Sequence, residues 1–136
     1  MASLASLLRA YDLDAGEKRE MALPLIEAGW EQPGQNAISV QVLQEFYVNF
    51  LRLGRSHREA VQIIQDLAEW PVVDNSLERL GQGLALKERH QVSLWDAMIL
   101  VAAQASGAHE LITEDLNAGQ DYGGVIVVNP FEAAAR

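Results

Sequence analysis

Ala37-Ile38-Ser39-Val40-Gln41-Val42-Leu43-Gln44-Glu45-Phe46-Tyr47-Val48-Asn49-Phe50-Leu51-Arg52-Leu53 (37–53) carries two patterns in direct succession. Ala37-Ile38-Ser39 is a brief apolar run after the turn Gln32-Pro33-Gly34-Gln35-Asn36, as a short strand requires. From Val40 onward, apolar residues at 43, 46, 47, 50 and 51 share one helical face, and Gly54 ends the run. A short strand that feeds directly into an amphipathic helix predicts a βα unit. Further short apolar runs at Pro71-Val72-Val73, Leu111-Ile112-Thr113 and Val125-Ile126-Val127-Val128 predict more strands, with helical patterns between them.

Residues 15–29 read as a helix stopped by Gly29, with Pro24 bending it or marking its true start. Ser56-His57-Arg58-Glu59 is a capping box for a helix to about Glu69, and Asn75 with Glu78 opens another toward His90. Ser93-Leu94-Trp95-Asp96 caps a run that is apolar almost all round, Ala97 to Ala103, closed by Gly107. All-round apolarity predicts a buried helix. Short apolar strands separated by helices imply right-handed crossovers and a parallel sheet with helices on both faces, so the class is helix-rich α/β.

The 136 residues match one domain, 1–136, at about 100–200 residues per domain. A hydrophobic share of 49% with 21% charged residues suits a chain that buries a core and excludes disorder over most of its length. No apolar run of membrane-spanning length and no basic, apolar leader is present, so neither a membrane nor export is expected. The absence of cysteine excludes disulfides, zinc–thiolate sites and cysteine nucleophiles, and a reducing cytoplasm is the expected compartment. A net charge of −9 repels polyanions, so any nucleic-acid chemistry must recruit cations. Arg52, Arg55, His57 and Arg58 are near one another in sequence, and a solvated helix end is the preferred reading of them.

Open parallel sheets place their sites at the carboxyl ends of strands. Three carboxylates meet that condition: Asp115 after the 111–113 strand, Glu45 in the second turn after the 37–39 strand, and Asp96 in the first turn of the buried helix. Each has a plainer reading as well. Asp96 stands three residues after Ser93 and completes a cap, Glu45 sits at the boundary of an apolar stripe, and Asp115 is a turn aspartate. Taken together they suggest a site for a divalent cation, because Mg²⁺ and Mn²⁺ prefer hard oxygen ligands and keep waters that a substrate phosphate displaces. Such a site would reconcile an acidic chain with an RNA substrate.

The segments 38–46, Ser93-Leu94-Trp95-Asp96-Ala97-Met98-Ile99, Leu111-Ile112-Thr113-Glu114-Asp115-Leu116-Asn117 and Val127-Val128-Asn129-Pro130-Phe131 resemble the PIN-domain family, and within it the VapC-type toxins. The resemblance runs from about residue 7 to 131. It implies an α/β/α sandwich on a short parallel sheet, endonucleolytic RNA cleavage with Mg²⁺ or Mn²⁺, a cognate VapB-type antitoxin and a homodimer. It places Glu45, Asp96 and Asp115 as catalytic metal ligands, with Thr113 as a supporting hydroxyl and Asn117 nearby. The front of the chain departs from the family. Leu7-Leu8-Arg9-Ala10-Tyr11-Asp12 resembles the stretch that follows the family's first ligand Asp, which puts Ser3 at the ligand position with no apolar strand before it. The first central strand is therefore expected to be missing, with the sheet rearranged, completed by residues 1–8 or covered by a partner. Asp12, Asp14 or Glu114 are the candidate substitute carboxylates.

Two rival readings remain. One is an inactive PIN-like binding module that pairs with an antitoxin or another protomer. The other takes Asp12-Leu13-Asp14 as the aspartyl nucleophile and acid of a haloacid-dehalogenase-like phosphatase, although Leu8-Arg9-Ala10-Tyr11 is a poor strand to precede it. His57, His90 and His109 lack metal-ligand spacing and read as surface residues. Most of the tryptophans (30, 70 and 95) and tyrosines (11, 47 and 122) read as core, since they do not alternate with basic residues.

Overall fold

The computed structural model describes residues 2–5, 8–12, 14–32 and 34–133. Its elements in chain order are β1 (Ala2–Leu4), α1 (Leu8–Tyr11), α2 (Glu17–Glu31), β2 (Asn36–Ser39), α3 (Val40–Arg52), α4 (His57–Leu67), β3 (Val72–Val73) and α5 (Leu77–His90). They continue with α6 (Leu94–Ala105), β4 (Glu110–Ile112), β5 (Asp121–Tyr122), β6 (Val125–Val128) and α7 (Pro130–Ala133). One six-stranded sheet runs β3-β2-β1-β4-β6-β5, parallel except for the antiparallel edge strand β5. The predicted α/β/α sandwich is the fold.

The first central strand is not missing: of the three expected outcomes, completion of the sheet from within residues 1–8 is the one found. Residues 2–4 form β1 at the centre of the sheet, with Ala2 and Ser3 paired to Asn36 and Ala37 on one side and Ala2–Leu4 to Glu110–Ile112 on the other. The Ala5 N–H donates to the Ile112 carbonyl at 2.9 Å. Three residues suffice because a strand between two parallel neighbours satisfies both edges with backbone alone, whatever its side chains. Of the segment 1–8, Met1, Ser6 and Leu7 lie outside the described residues, as do Leu13 and Pro33.

The chain steps outward from β1 to β2 and β3, then returns through α5 and α6 to β4 on the opposite side of β1. The switch between β1 and β4 opens a crevice beyond their carboxyl ends. As its composition predicts, α6 is buried from Ala97 to Ala103 and packs on β1, β2, β4 and β6, with α5 against it. Ile38, Phe46, Phe50, Leu100, Leu111 and Val127 fill the core.

Local expectations shift in four places. α2 runs through Pro24 and continues past Gly29 to Glu31. Gly29 serves packing instead of termination, since a Cβ there would lie 2.5 Å from the Trp70 ring. Ser76, one residue after Asn75, caps α5 by accepting from the Arg79 N–H at 3.1 Å. β5 was not foreseen; it folds back on β6 through Gly123 and Gly124, both at positive φ, with the Asp121 carboxylate accepting from the Gly124 N–H at 2.7 Å. Among the described residues no helix is long and apolar enough to cross a membrane.

Candidate active site

Beyond the ends of β1 and β4 lies a crevice of about 260 Å³ bordered by Ala5, Arg9, Glu45, Asn49, Glu114 and Asp115, with Leu8, Val42 and Phe46 forming its apolar floor. Each acidic residue is positioned by a short, local device. Ser39 ends β2 and caps α3, its Oγ accepting from the Val42 N–H at 3.1 Å, so no loop separates strand from helix and Glu45 comes up on the second turn. Ser93 caps α6 by accepting from the Asp96 N–H at 3.0 Å. The cap is thus made by the Ser93 hydroxyl and the Asp96 backbone, and the Asp96 carboxyl is not needed for it. Beyond β4, the buried Thr113 hydroxyl accepts from the Asp115 N–H at 3.2 Å, which fixes the turn that carries Glu114 and Asp115.

The three predicted carboxylates stand in one region. Glu45 and Asp115 border the same crevice, and Asp96 is near enough to Asp115 to act on its charge. The Asp115 carboxyl is raised above the ordinary aspartate range, first by desolvation and then by the negative charges of Glu114 and Asp96, while Arg9 and Lys18 oppose the rise. The carboxyls do not close on a common point. Among the described residues no group of three His, Cys, Asp or Glu side chains is gathered tightly enough to hold one ion.

Of the candidate substitutes, Glu114 borders the crevice and is held by Arg9 Nε at 3.3 Å and Lys18 Nζ at 3.2 Å. Asp12 instead accepts from the Asp14 N–H at 3.0 Å in a turn that follows helix α1. No strand leads into Asp12, so the phosphatase reading loses its structural requirement. Ser3 is buried within the sheet, and the β1-side residue that reaches the crevice is Ala5, two positions on and without a donor. Asn117 donates to Gln120 at 3.0 Å in the next turn.

Sequence reasoning missed Arg9, Lys18, Asn49 and Trp95. Asn49 was legible in principle, one turn beyond Glu45 on α3. Arg9 and Glu114 are 105 positions apart, and no local signal joins them. Trp95 is 45% exposed, against the core reading, whereas Trp70 is buried at 2%. Its indole N–H donates to Glu45 Oε2 at 2.9 Å, and Gln41 Nε2 donates to its carbonyl at 3.0 Å. His90 is partly buried, edge-on to Tyr122 with ring centroids 5.0 Å apart, whereas His57 and His109 are exposed as expected. The basic group does not act as one edge. Arg55 is spent on Glu59, the Tyr11 carbonyl and the Phe50 ring, and His57 on the Tyr47 hydroxyl, which leaves Arg52 and Arg58 turned outward.

Comparison with known proteins agrees with this architecture. The model of the PIN domain matches residues 7–120. A toxin–antitoxin complex from Klebsiella pneumoniae is similar at 27% identity and TM-score 0.69, covering 96% of this chain and 98% of that one. The Mycobacterium tuberculosis toxin VapC20, a sarcin–ricin loop cleaving toxin, shares the fold at 19% identity and TM-score 0.62, with 82% of this chain and 87% of that one covered. So does VapBC2 from Rickettsia felis, bound to a promoter DNA fragment, at 19% identity and TM-score 0.61 over 95% and 98% of the two chains. No match was found among the curated proteins. With residues 7–120 matched by the family model, the chain belongs to the PIN domain family.

Proposed function

We propose that this chain is the toxin of a VapC-type toxin–antitoxin pair, an endoribonuclease that works with Mg²⁺ or Mn²⁺ held by Glu45, Asp96 and Asp115. The observation that supports this reading is that Glu45 and Asp115 border the crevice at the β1/β4 switch, with Asp96 close enough that its charge, after burial and Glu114, raises the Asp115 carboxyl. The all-oxygen donor type suits a hard divalent cation, although the carboxyls as placed are not gathered on one point, and their mutual repulsion is a cost that such a cation would offset. When bound, the ion supplies positive charge to the phosphodiester and makes water more acidic.

The chain's own groups do the rest. Trp95 orients the Glu45 carboxylate through its indole N–H. Thr113 fixes the backbone that presents Asp115 to the crevice. Arg9 and Lys18 neutralise Glu114 at the rim, which lowers the repulsion met by an incoming phosphate.

One observation favours a second reading, an inactive module that pairs with an antitoxin or another protomer. Ala5 brings no donor to the crevice, and the remaining carboxyls are not gathered on one point. Mn²⁺ titration separates the two. A true site raises the thermal midpoint by mass action, about 2.7 kcal/mol of stabilisation at a hundred times the Kd, and Asp96→Asn diminishes the rise. No shift in the folded wild-type chain leaves the module reading.

The homodimer is part of the proposal and is assigned to α5. Leu77, Leu80 and Leu84, exposed by 85%, 37% and 50%, share one side of this helix with Gly81, whose Cβ position is open. Sedimentation of Leu84→Glu should then show a monomer where the wild-type chain is a dimer, and a wild-type monomer at micromolar concentration would contradict the assignment.

A further inference from the structure

The carboxylate crevice does not end at Glu45. Glu45 and Asn49 border it on one side and also border a second groove, of about 370 Å³, which continues along α3 past Val48 to Arg52 and is walled by Trp95. Glu45, Asn49 and Arg52 are spaced i, i+4 and i+7, so they form one row on the helix. Arg52 donates to Asn49 Oδ1 at 3.4 Å and makes no ion pair among the described residues. Trp95 is exposed yet fixed, because Gln41 holds its backbone and Glu45 holds its indole N–H. A clamped aromatic ring, an amide and an unpaired guanidinium thus follow one another away from the acidic centre.

We propose that this groove seats a single-stranded stretch of RNA next to the phosphodiester to be cut, with a base stacked on the Trp95 indole and a backbone phosphate on Arg52. The proposal rests on the nuclease reading above and adds to it the subsite that positions the substrate. Single-stranded nucleic acid is held by aromatic faces that stack on bases and by cations that track the backbone, and a pre-oriented ring loses little entropy on stacking. On a chain of net charge −9, an outward arginine two turns from the carboxylates supplies local attraction where the overall field opposes binding. Both residues would act as positioning residues.

The test measures binding instead of cleavage. A fluorescein-labelled, mixed-sequence 12-nucleotide RNA is titrated with the full chain in EDTA and again in Ca²⁺, across a salt series, with the same strand in a duplex as comparison. Trp95→Leu should weaken single-strand binding roughly tenfold or more with an unchanged salt slope, and Trp95→Phe should restore most of it. Arg52→Gln should lower the salt slope by about 0.7, the loss of one phosphate contact. Wild-type affinity in both variants, equal binding of the duplex, or no binding by the wild-type chain would overturn the proposal. So would a Trp95→Leu variant that keeps RNA affinity but loses self-association, which would assign the ring to a protein interface. The groove and the nuclease reading fail separately: binding that depends on Trp95 and Arg52 without Mn²⁺-dependent cleavage sinks the enzyme alone, and cleavage with wild-type binding in both variants sinks the groove alone.

Discussion

At the scale of single residues, Asp115 bears the cost of the site. Its carboxyl is raised by burial and by the charges of Glu114 and Asp96, so its ionised form is less stable in the folded chain than in the unfolded one. That cost is present at neutral pH and disappears as pH falls below the unfolded value of about 3.9, where both states are protonated. Asp115→Asn should therefore unfold at a higher temperature than the wild-type chain at pH 7, with the gap closing toward pH 4. A variant less stable at pH 7 would show that the carboxylate stabilises the turn. Ala5 offers the complementary test. Ala5→Asp adds a hard donor on the crevice wall and should tighten Mn²⁺ binding about tenfold by calorimetry, or about 1.4 kcal/mol; unchanged affinity would mean that β1 does not face the ion.

At the scale of elements, the serine caps place the chemistry. Ser39, Ser56, Ser76 and Ser93 each accept the N–H three residues on. Ser93→Ala should cost about 1 kcal/mol in urea unfolding and loosen the turn that carries Asp96. The caps at Ser56 and Ser93 were legible because a cap is a contact between residues three apart. Asn75 and Ser76 compete for the same role one residue apart, and only the backbone decides between them. Gly29 shows the limit of local reading from the other direction. A glycine near the end of an apolar run looks like a stop signal, yet its partner is Trp70, 41 positions away, and the helix passes through it. Gly29→Ala should destabilise by about 2 kcal/mol, because the added methyl meets an aromatic ring packed in the core.

At the scale of the whole molecule, the order of strands was implicit in the succession of short apolar runs and helices, and with it the rule that chemistry gathers at strand ends. That rule singles out Glu45, Asp96 and Asp115 from the sequence, and two of them, Glu45 and Asp115, border one crevice. The first strand stood only as one of three alternatives because Ala-Ser-Leu has no strand pattern. Its place is fixed by backbone bonds to two neighbours, a non-local cause that side-chain periodicity does not record. The cations at Glu114 escaped for the same reason, since Arg9 and Lys18 reach it across the fold.

Cleavage of a structured RNA by the purified wild-type chain and by Asp96→Asn, each with Mn²⁺ and with EDTA, is the deciding test of the carboxylate site. The carboxylate site predicts cleavage by the wild-type chain in Mn²⁺, none in EDTA, and a rate about 100-fold lower or less in the variant. A folded, pure wild-type chain that leaves the RNA intact in Mn²⁺, or an Asp96→Asn variant that cuts at the wild-type rate, would contradict it.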